Sequence, residues 1–319
     1  MKAAVVSRFE KAPAYGDFRD PVAESGEVLV RVSAAALSRL VRGQASGQHY
    51  SSGAALPFVP GVDGVGRLPD GSRVYFAFPK APFGSMAELT AVKRSFCVGL
   101  PDDLDDVTAA GTANPGMSSW VALMERAKFV AGETVLINGA TGVSGRLAIQ
   151  IAKYLGASFV IATGRNAASV EELPSLGADA VIALDQPAEK LTEVFRKAIK
   201  ERGVNVILDY LWGPSAESLI AAVVGHASGE QAPRIRFVQI GSMAGPTIAM
   251  PAAALRSSGL ELIGSGLGSV SNEALVRNIG ELMKAIVPGN LTIHTKPVPL
   301  TQVGSAWNGT TTDRVVFTM

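Results

Sequence analysis

The sequence predicts a two-domain α/β protein in which a β-rich first domain, built as a partly open barrel, precedes a doubly wound parallel sheet. Three observations carry this. Residues 133–166, ETVLINGATGVSGRLAIQIAKYLGASFVIATGRN, read as strand, glycine-rich turn, helix and second strand. Apolar runs and helical patterns keep alternating downstream, as a parallel sheet covered on both faces requires. The first third holds short strands broken by Gly and Pro, with irregular connections.

The central stretch is the most informative. Val135, Leu136 and Ile137 form a short apolar run that ends at Asn138, and Gly139, Gly142 and Gly145 lead into Leu147, Ile149, Ile151, Ala152 and Leu155 at helical spacing. Gly156 stops that helix, and Phe159, Val160, Ile161 and Ala162 make the next strand. A chain passing from strand to helix exposes the first free N–H groups and the positive dipole end, and glycines let a pyrophosphate approach that backbone without meeting a Cβ. Gly139, Thr141, Gly142 and Gly145 are therefore candidate nucleotide contacts, with Gly145 also letting the helix pack close to the strand. The spacing is GxxGxxG, with Ala140 at the second glycine of the commoner fingerprint. Arg146 and Leu147 exclude a P-loop, which needs Lys and Ser or Thr there.

The end of the second strand bears on which dinucleotide binds. An NAD site places a carboxylate about 20 residues after the glycines to hold the ribose 2′-OH, whereas a 2′-phosphate needs cations and donors. Here the residues are Thr163, Gly164, Arg165 and Asn166. The spot lacks a carboxylate, and the planar fork of Arg165 suits phosphate, so NADPH is expected over NADH. The plainer reading of Arg165 is a solvated turn residue.

Composition sets the outer bounds. The chain has 319 residues, 47% hydrophobic and 18% charged, enough to bury two cores. A formal net charge of +1, without a basic run, gives no electrostatic reason to expect nucleic acid or an anionic membrane as partner. Residues 1–13 lack the apolar core of a signal peptide, and no segment has 18 consecutive apolar residues. Cys97 is the only cysteine and can form no intramolecular disulfide, so a soluble, cytoplasmic protein is expected.

In chain order, strands are expected at 2–6 and 27–35, then two short ones in the Gly- and Pro-dense segment 57–75, then at 83–92. From Asp105 the period becomes helical and carries the chain into the central unit. Strands at 180–184, 204–210, 235–240 and 260–264 follow, with a charged amphipathic helix at 188–202 and a last long helix at 272–287. The tail, 291–319, returns to strand character, as a segment rejoining the first domain would.

The AALSRL segment after the EVLVRV strand, then PFVPGVDGVGRLPDGSRVY, ERAKFVAGETVLINGATGVSGRLAIQIAKYLGA, VILDY and VQIGS together resemble the medium-chain dehydrogenase/reductase superfamily. Within it they are most similar to the zinc-free quinone oxidoreductase branch related to zeta-crystallin. The resemblance spans the chain and is most specific in the central third. It implies a GroES-like catalytic domain at 1–118 with 290–319, a Rossmann NADP-binding domain at 119–289, an active site in the cleft between them, and a homodimer. It also implies where the chain departs from alcohol dehydrogenases, whose zinc needs a Cys in the segment matched by residues 35–40 and a His-Glu pair matched by Val62 and Asp63. Val62 cannot ligate, and His49, His226 and His294 show no metal-ligand spacing, so no metal is expected.

The same resemblance carries over site residues. Tyr50 matches a tyrosine near the nicotinamide and is the expected hydrogen-bond donor to the substrate oxygen that gains charge; Ser38 lies near the lost ligand position as a possible pocket residue, with His49 the weaker neighbour. Asn114 and Ser118 stand where relatives hold the nicotinamide-side phosphate, Val143 and Ser144 would offer N–H groups to the pyrophosphate, and Gly241 and Ser242 match the segment under the nicotinamide. Leu184 replaces a tyrosine that supports the 2′-phosphate in a relative. The implied activity is hydride transfer from NADPH to a quinone or α,β-unsaturated carbonyl. Two alternatives stay open: a 2-enoyl thioester reductase, and a non-catalytic NADPH-sensing or RNA-binding protein.

Overall fold

The computed structural model describes residues 1–48, 55–224, 232–309 and 313–319. They fold as two compact units, one made of Met1–Met117 with Asn272–Met319 and the other of Ser118–Ser271.

In the first unit, β1 (Lys2–Val5) pairs antiparallel with β2 (Ala14–Asp17). The long strand β3 (Glu27–Ala36) buries Val30, Val32 and Ala34 on its alternating face. Helix α1 (Arg39–Ala45) follows at once because Ser38 caps it, its Oγ accepting the Val41 N–H at 3.0 Å. Then come β4 (Asp63–Arg67), β5 (Arg73–Ala77), β6 (Leu89–Lys93), β7 (Cys97–Gly99) and α2 (Asp106–Val121). β6 starts later than the expected 83 because the preceding residues bond irregularly: the Ser85 N–H reaches the Gly61 carbonyl at 3.2 Å and the Met86 N–H the Pro60 carbonyl at 3.1 Å.

The second unit alternates strictly. A π-helical turn, Ala122–Ala127, ends at Lys128 in the left-handed region and leads to β8 (Thr134–Asn138), α3 (Val143–Tyr154), β9 (Phe159–Gly164), α4 (Ala167–Glu171) and β10 (Ala180–Ala183). α5 (Ala188–Arg202), β11 (Val204–Asp209), α6 (Gly213–Val223), β12 (Arg234–Gln239), α7 (Ala252–Arg256) and β13 (Gly259–Gly264) complete it. Among the described residues the six strands lie in the order β10-β9-β8-β11-β12-β13, every pairing parallel. The chain order reverses between β8 and β11, where doubly wound sheets bind ligands beyond their strand ends. Leu136, Ile161, Phe195, Ile207, Leu219 and Phe237 form one buried cluster beside this sheet, each contributing about 1.5–3 kcal/mol of burial.

The tail returns to the first unit. After α8 (Asn272–Ile286) it forms β14 (Thr295–Pro299), α9 (Val303–Ala306) and β15 (Arg314–Thr318), and β15 pairs antiparallel with β3. The seven-strand path is β14-β15-β3-β4-β5-β7, with β6 on β3. One helix departs from the sequence expectation: α8 groups with the first unit rather than the nucleotide unit. Small residues make that packing possible, since a Cβ on Gly280 would lie 3.0 Å from Val98 Cγ1 and one on Gly116 2.9 Å from Leu282 Cδ2. Among the described residues no helix is long and apolar enough to cross a membrane.

Candidate nucleotide-binding site

The glycine-rich turn rests on a buried polar floor. Asn138, Thr163 and Asp209 stand at the carboxyl ends of β8, β9 and β11 and are fully buried. Asn138 Nδ2 donates to Asp209 Oδ1 at 2.8 Å and to Ser215 Oγ at 2.9 Å, and its Oδ1 accepts the Thr163 hydroxyl at 2.9 Å. Thr163 Oγ1 in turn accepts the Gly139 N–H at 3.0 Å, so the turn's first residue is tied through one hydroxyl to the neighbouring strand. Asp209 also accepts the Leu211 and Trp212 N–H groups at 3.0 and 3.1 Å, which holds Trp212 at φ 57°. Burial raises the pKa of Asp209 above the usual carboxylate value, against the pull of those hydrogen bonds.

On this floor each glycine has its own work. Gly139 has φ +93°, and an added Cβ would meet Leu211 Cγ at 2.8 Å. A Cβ on Gly145 would collide with the Gly139 carbonyl and lie 2.6 Å from Ala140 Cα, so only glycine lets α3 approach the turn this closely. Gly142 is different: it is exposed, its φ of −77° suits any residue, and an added Cβ would meet nothing within 4 Å. No side chain caps α3, whose first residues are Val143 and Ser144. The open space at Gly142 and these first-turn N–H groups together fit a pyrophosphate.

The rim lies one strand over. The Thr141 methyl packs where a side chain on Gly164 would stand, with Val170 Cγ2 2.8 Å from the same point. Arg165 is exposed and, among the described residues, has no ion-pair or hydrogen-bond partner. Asn166 caps α4, its Oδ1 accepting the Ser169 N–H at 3.4 Å. The Leu184 N–H donates to the Gly164 carbonyl at 2.9 Å, while the partly buried Leu184 side chain packs against the core cluster. Arg146, by contrast, is engaged by Glu172 at 2.7 Å.

Gly241 and Ser242 follow β12, where the Gly241 N–H donates to the Asp209 carbonyl at 3.1 Å and Gln239 Nε2 to the Gly241 carbonyl at 3.0 Å. Ser118 joins the same strand ends, its Oγ 3.4 Å from the hydroxyl of Tyr210, whose pKa burial pushes up to about 12. The structure thus brings Ser118, Gly139, Thr141, Gly142, Val143, Ser144, Gly145, Gly164, Arg165, Asn166, Gly241 and Ser242 to the carboxyl end of one parallel sheet. Asn138, Ser215, Tyr210 and Gln239 were not singled out from the sequence. A signal existed, since Asn138, Thr163 and Asp209 are each the first polar residue after an apolar run, VLI, VIA or VIL.

The remaining candidates belong to the first unit. Ser38 is buried and serves as the α1 cap, while Asn114 is half-buried on α2. Tyr50 and His49 lie outside the described residues. Val62 is half-buried with an apolar side chain, and its neighbour Asp63 is buried, accepting the Tyr75 hydroxyl at 3.0 Å; burial lifts the Asp63 pKa to about 6. Among the described residues no three His, Cys, Asp or Glu side chains gather as a metal-ligand set.

Comparison with known proteins agrees with this layout. Residues 144–281 match a domain family described as zinc-binding dehydrogenase, and that stretch lies wholly downstream of Gly61, Val62 and Asp63. The chain is 29% identical to a probable NADPH-dependent quinone reductase of Emericella nidulans, over 96% of each chain. It is 35% identical to a chloroplastic NADPH-dependent alkenal/one oxidoreductase of Arabidopsis thaliana, over 54% of this chain and 48% of that protein. The structure of a mycobacterial quinone oxidoreductase superposes with a TM-score of 0.86 over the whole of both chains at 22% identity, a likeness of fold.

Proposed function

We propose that the chain is a member of the quinone oxidoreductase branch of the medium-chain dehydrogenase/reductase superfamily and, from that premise, an NADPH-dependent reductase of quinones or α,β-unsaturated carbonyl compounds that works without zinc. The observation that carries the reading is the pairing of an open glycine cradle at Gly142 with an exposed Arg165 one strand away, unpaired among the described residues, where an NAD site would hold a carboxylate. Gly139, Thr141, Gly142, Val143, Ser144 and Gly145 hold the pyrophosphate. Gly164, Arg165 and Asn166 hold the 2′-phosphate, and Asn114, Ser118, Gly241 and Ser242 serve the nicotinamide side. The reduced nicotinamide, when bound, supplies the hydride.

What this chain adds is position and charge compensation. An acceptor carbonyl that takes hydride at a conjugated carbon gains charge on oxygen, and Tyr50 is the proposed donor to it. Ser38 contributes by fixing the start of α1. Val62 leaves no ligand at the histidine position of a zinc site, which supports metal independence. A cytoplasmic homodimer completes the proposal, supported by the single Cys97 and by the family resemblance. Steady-state NADPH oxidation by the purified protein against quinones, small enones and enoyl thioesters tests it. Turnover of quinones or enones with NADPH well above NADH, unaffected by chelators, is the expected result. Turnover of enoyl thioesters alone would move the assignment to that class, and chelator loss restored only by zinc would overturn metal independence.

A further inference from the structure

Arg126, on the π-helical turn Ala122–Ala127, spans the loop that follows β13. Its Nε donates to the Gly264 carbonyl at 2.8 Å and its Nη1 to the Ser269 carbonyl at 3.2 Å, so one guanidinium grips both ends of residues 264–269. The loop needs such a grip, because Gly264, Gly266 and Gly268 leave it little stiffness of its own and Leu267 stands partly exposed between them. Inside it, Ser269 Oγ donates to the Gly266 carbonyl at 2.7 Å and accepts the Gly266 N–H at 2.9 Å. The Ser265 N–H donates to the Gln239 carbonyl at 2.8 Å, and Gln239 Nε2 reaches the Gly241 carbonyl at 3.0 Å. A continuous set of contacts therefore runs from Arg126 through the loop to Gly241.

Topology says which part of a dinucleotide this loop meets. The sheet divides at the switch point into β8-β9-β10 and β11-β12-β13, each a mononucleotide half, and the rim at Arg165 marks the first as the adenosine half. The loops after β12 and β13 belong to the other half. Resting on the function proposed above, we infer that Arg126 is a positioning residue for the nicotinamide: by clamping residues 264–269 it fixes the loop against which the reduced ring is oriented. The planar fork matters, since a lysine is a point donor and cannot hold two carbonyls at the ends of a loop in fixed register.

The test compares wild type, Arg126→Ala, Arg126→Lys and Ser269→Ala with two probes. 2′,5′-ADP reports the adenosine half alone, while NADPH reports both halves, its nicotinamide emission rising when the ring is immobilised. Arg126→Lys, which keeps charge and most of the packing, should lower kcat/KM about 10- to 100-fold and reduce the emission gain of bound NADPH, with 2′,5′-ADP affinity unchanged. Ser269→Ala should move both readouts the same way by a smaller factor, which keeps the test sharp if Arg126→Ala fails to fold. Native kcat and native emission in Arg126→Lys, with only a lower Tm, would make Arg126 a structural tie and overturn the inference, as would an equal loss of 2′,5′-ADP affinity. Failure of the wild type to bind either probe would instead refute the proposed function, and this inference with it.

Discussion

Beneath the glycine-rich turn, Asn138, Thr163 and Asp209 are fully buried and satisfy one another and the turn's backbone, whereas one strand away Arg165 stands exposed with no partner among the described residues and the Asn166 side chain makes a long capping contact. The floor is complete without ligand; the rim is left for one. That division separates two kinds of work. A buried network bears the cost of ordering at folding, so the pyrophosphate meets a backbone already in place, while discrimination between nucleotides is left to side chains that contribute little to the fold. Floor substitutions should therefore change stability and binding together, and rim substitutions should change nucleotide choice alone.

The largest effect is expected at Asp209. Asp209→Ala strips the acceptor from Asn138 and from the Leu211 and Trp212 N–H groups, and releases Trp212 from its positive φ, at a cost of about 3–5 kcal/mol in urea denaturation. The pH dependence has a definite sign. Because the folded pKa of Asp209 lies above its unfolded value, the native state binds the extra proton, so this group's contribution is most favourable below the ordinary carboxylate pKa and declines as pH rises through the raised one. Asp209→Asn should remove that slope. A wild-type level of stability in Asp209→Ala would end the distinction between floor and rim.

Next in size is a contrast between two glycines three residues apart. Gly142→Val should fold, at about 1 kcal/mol for a poor cap residue, yet lose NADPH affinity by at least about 100-fold, since its side chain enters the open cradle. Gly145→Val should lose stability and binding together, because its Cβ already collides with Gly139 and Ala140. Equal stabilities measured for the two variants would contradict the close approach at Gly145.

How much of this was legible in the sequence follows the same division. The strand-turn-helix at 133–166 was readable because apolar period and glycine spacing are local properties, and the tail's return was readable from its change of period. The floor was not read as a unit: Asn138, Thr163 and Asp209 are 25 and 46 residues apart along the chain, and only the β9-β8-β11 order makes them neighbours. The domain limits implied by the resemblance put α8 with the nucleotide unit, although the contacts that decide its place are with Val98 and Gly116. Arg165 was legible as a cation in the right slot, but its lack of a partner among the described residues is a fact of three dimensions.

At the rim, Arg165→Ala should weaken NADPH by about 1–3 kcal/mol, the worth of one charge-assisted contact, leave NADH nearly unchanged and flatten the salt dependence of NADPH binding. Titration of both nucleotides at two ionic strengths measures it. Equal weakening of NADPH and NADH would place Arg165 in the floor's class and not the rim's.

The smallest expected effect, and the finest division, is at Asn166. Its side chain has two possible duties, capping α4 and donating to a 2′-phosphate, and an alanine removes both at once, for about 1 kcal/mol of stability at most given the 3.4 Å cap. Asn166→Asp separates them. Aspartate is as good a cap as asparagine, so Tm should hold, but it puts a carboxylate where NAD sites carry one and where a 2′-phosphate is repelled. The NADPH to NADH affinity ratio should then fall about 5- to 10-fold, near 1 kcal/mol, through weaker NADPH and somewhat stronger NADH. Calorimetric titration of both nucleotides decides it. An unchanged ratio in a variant of native stability would mean that no phosphate lies at this rim, and the role given to Arg165 would fall with it.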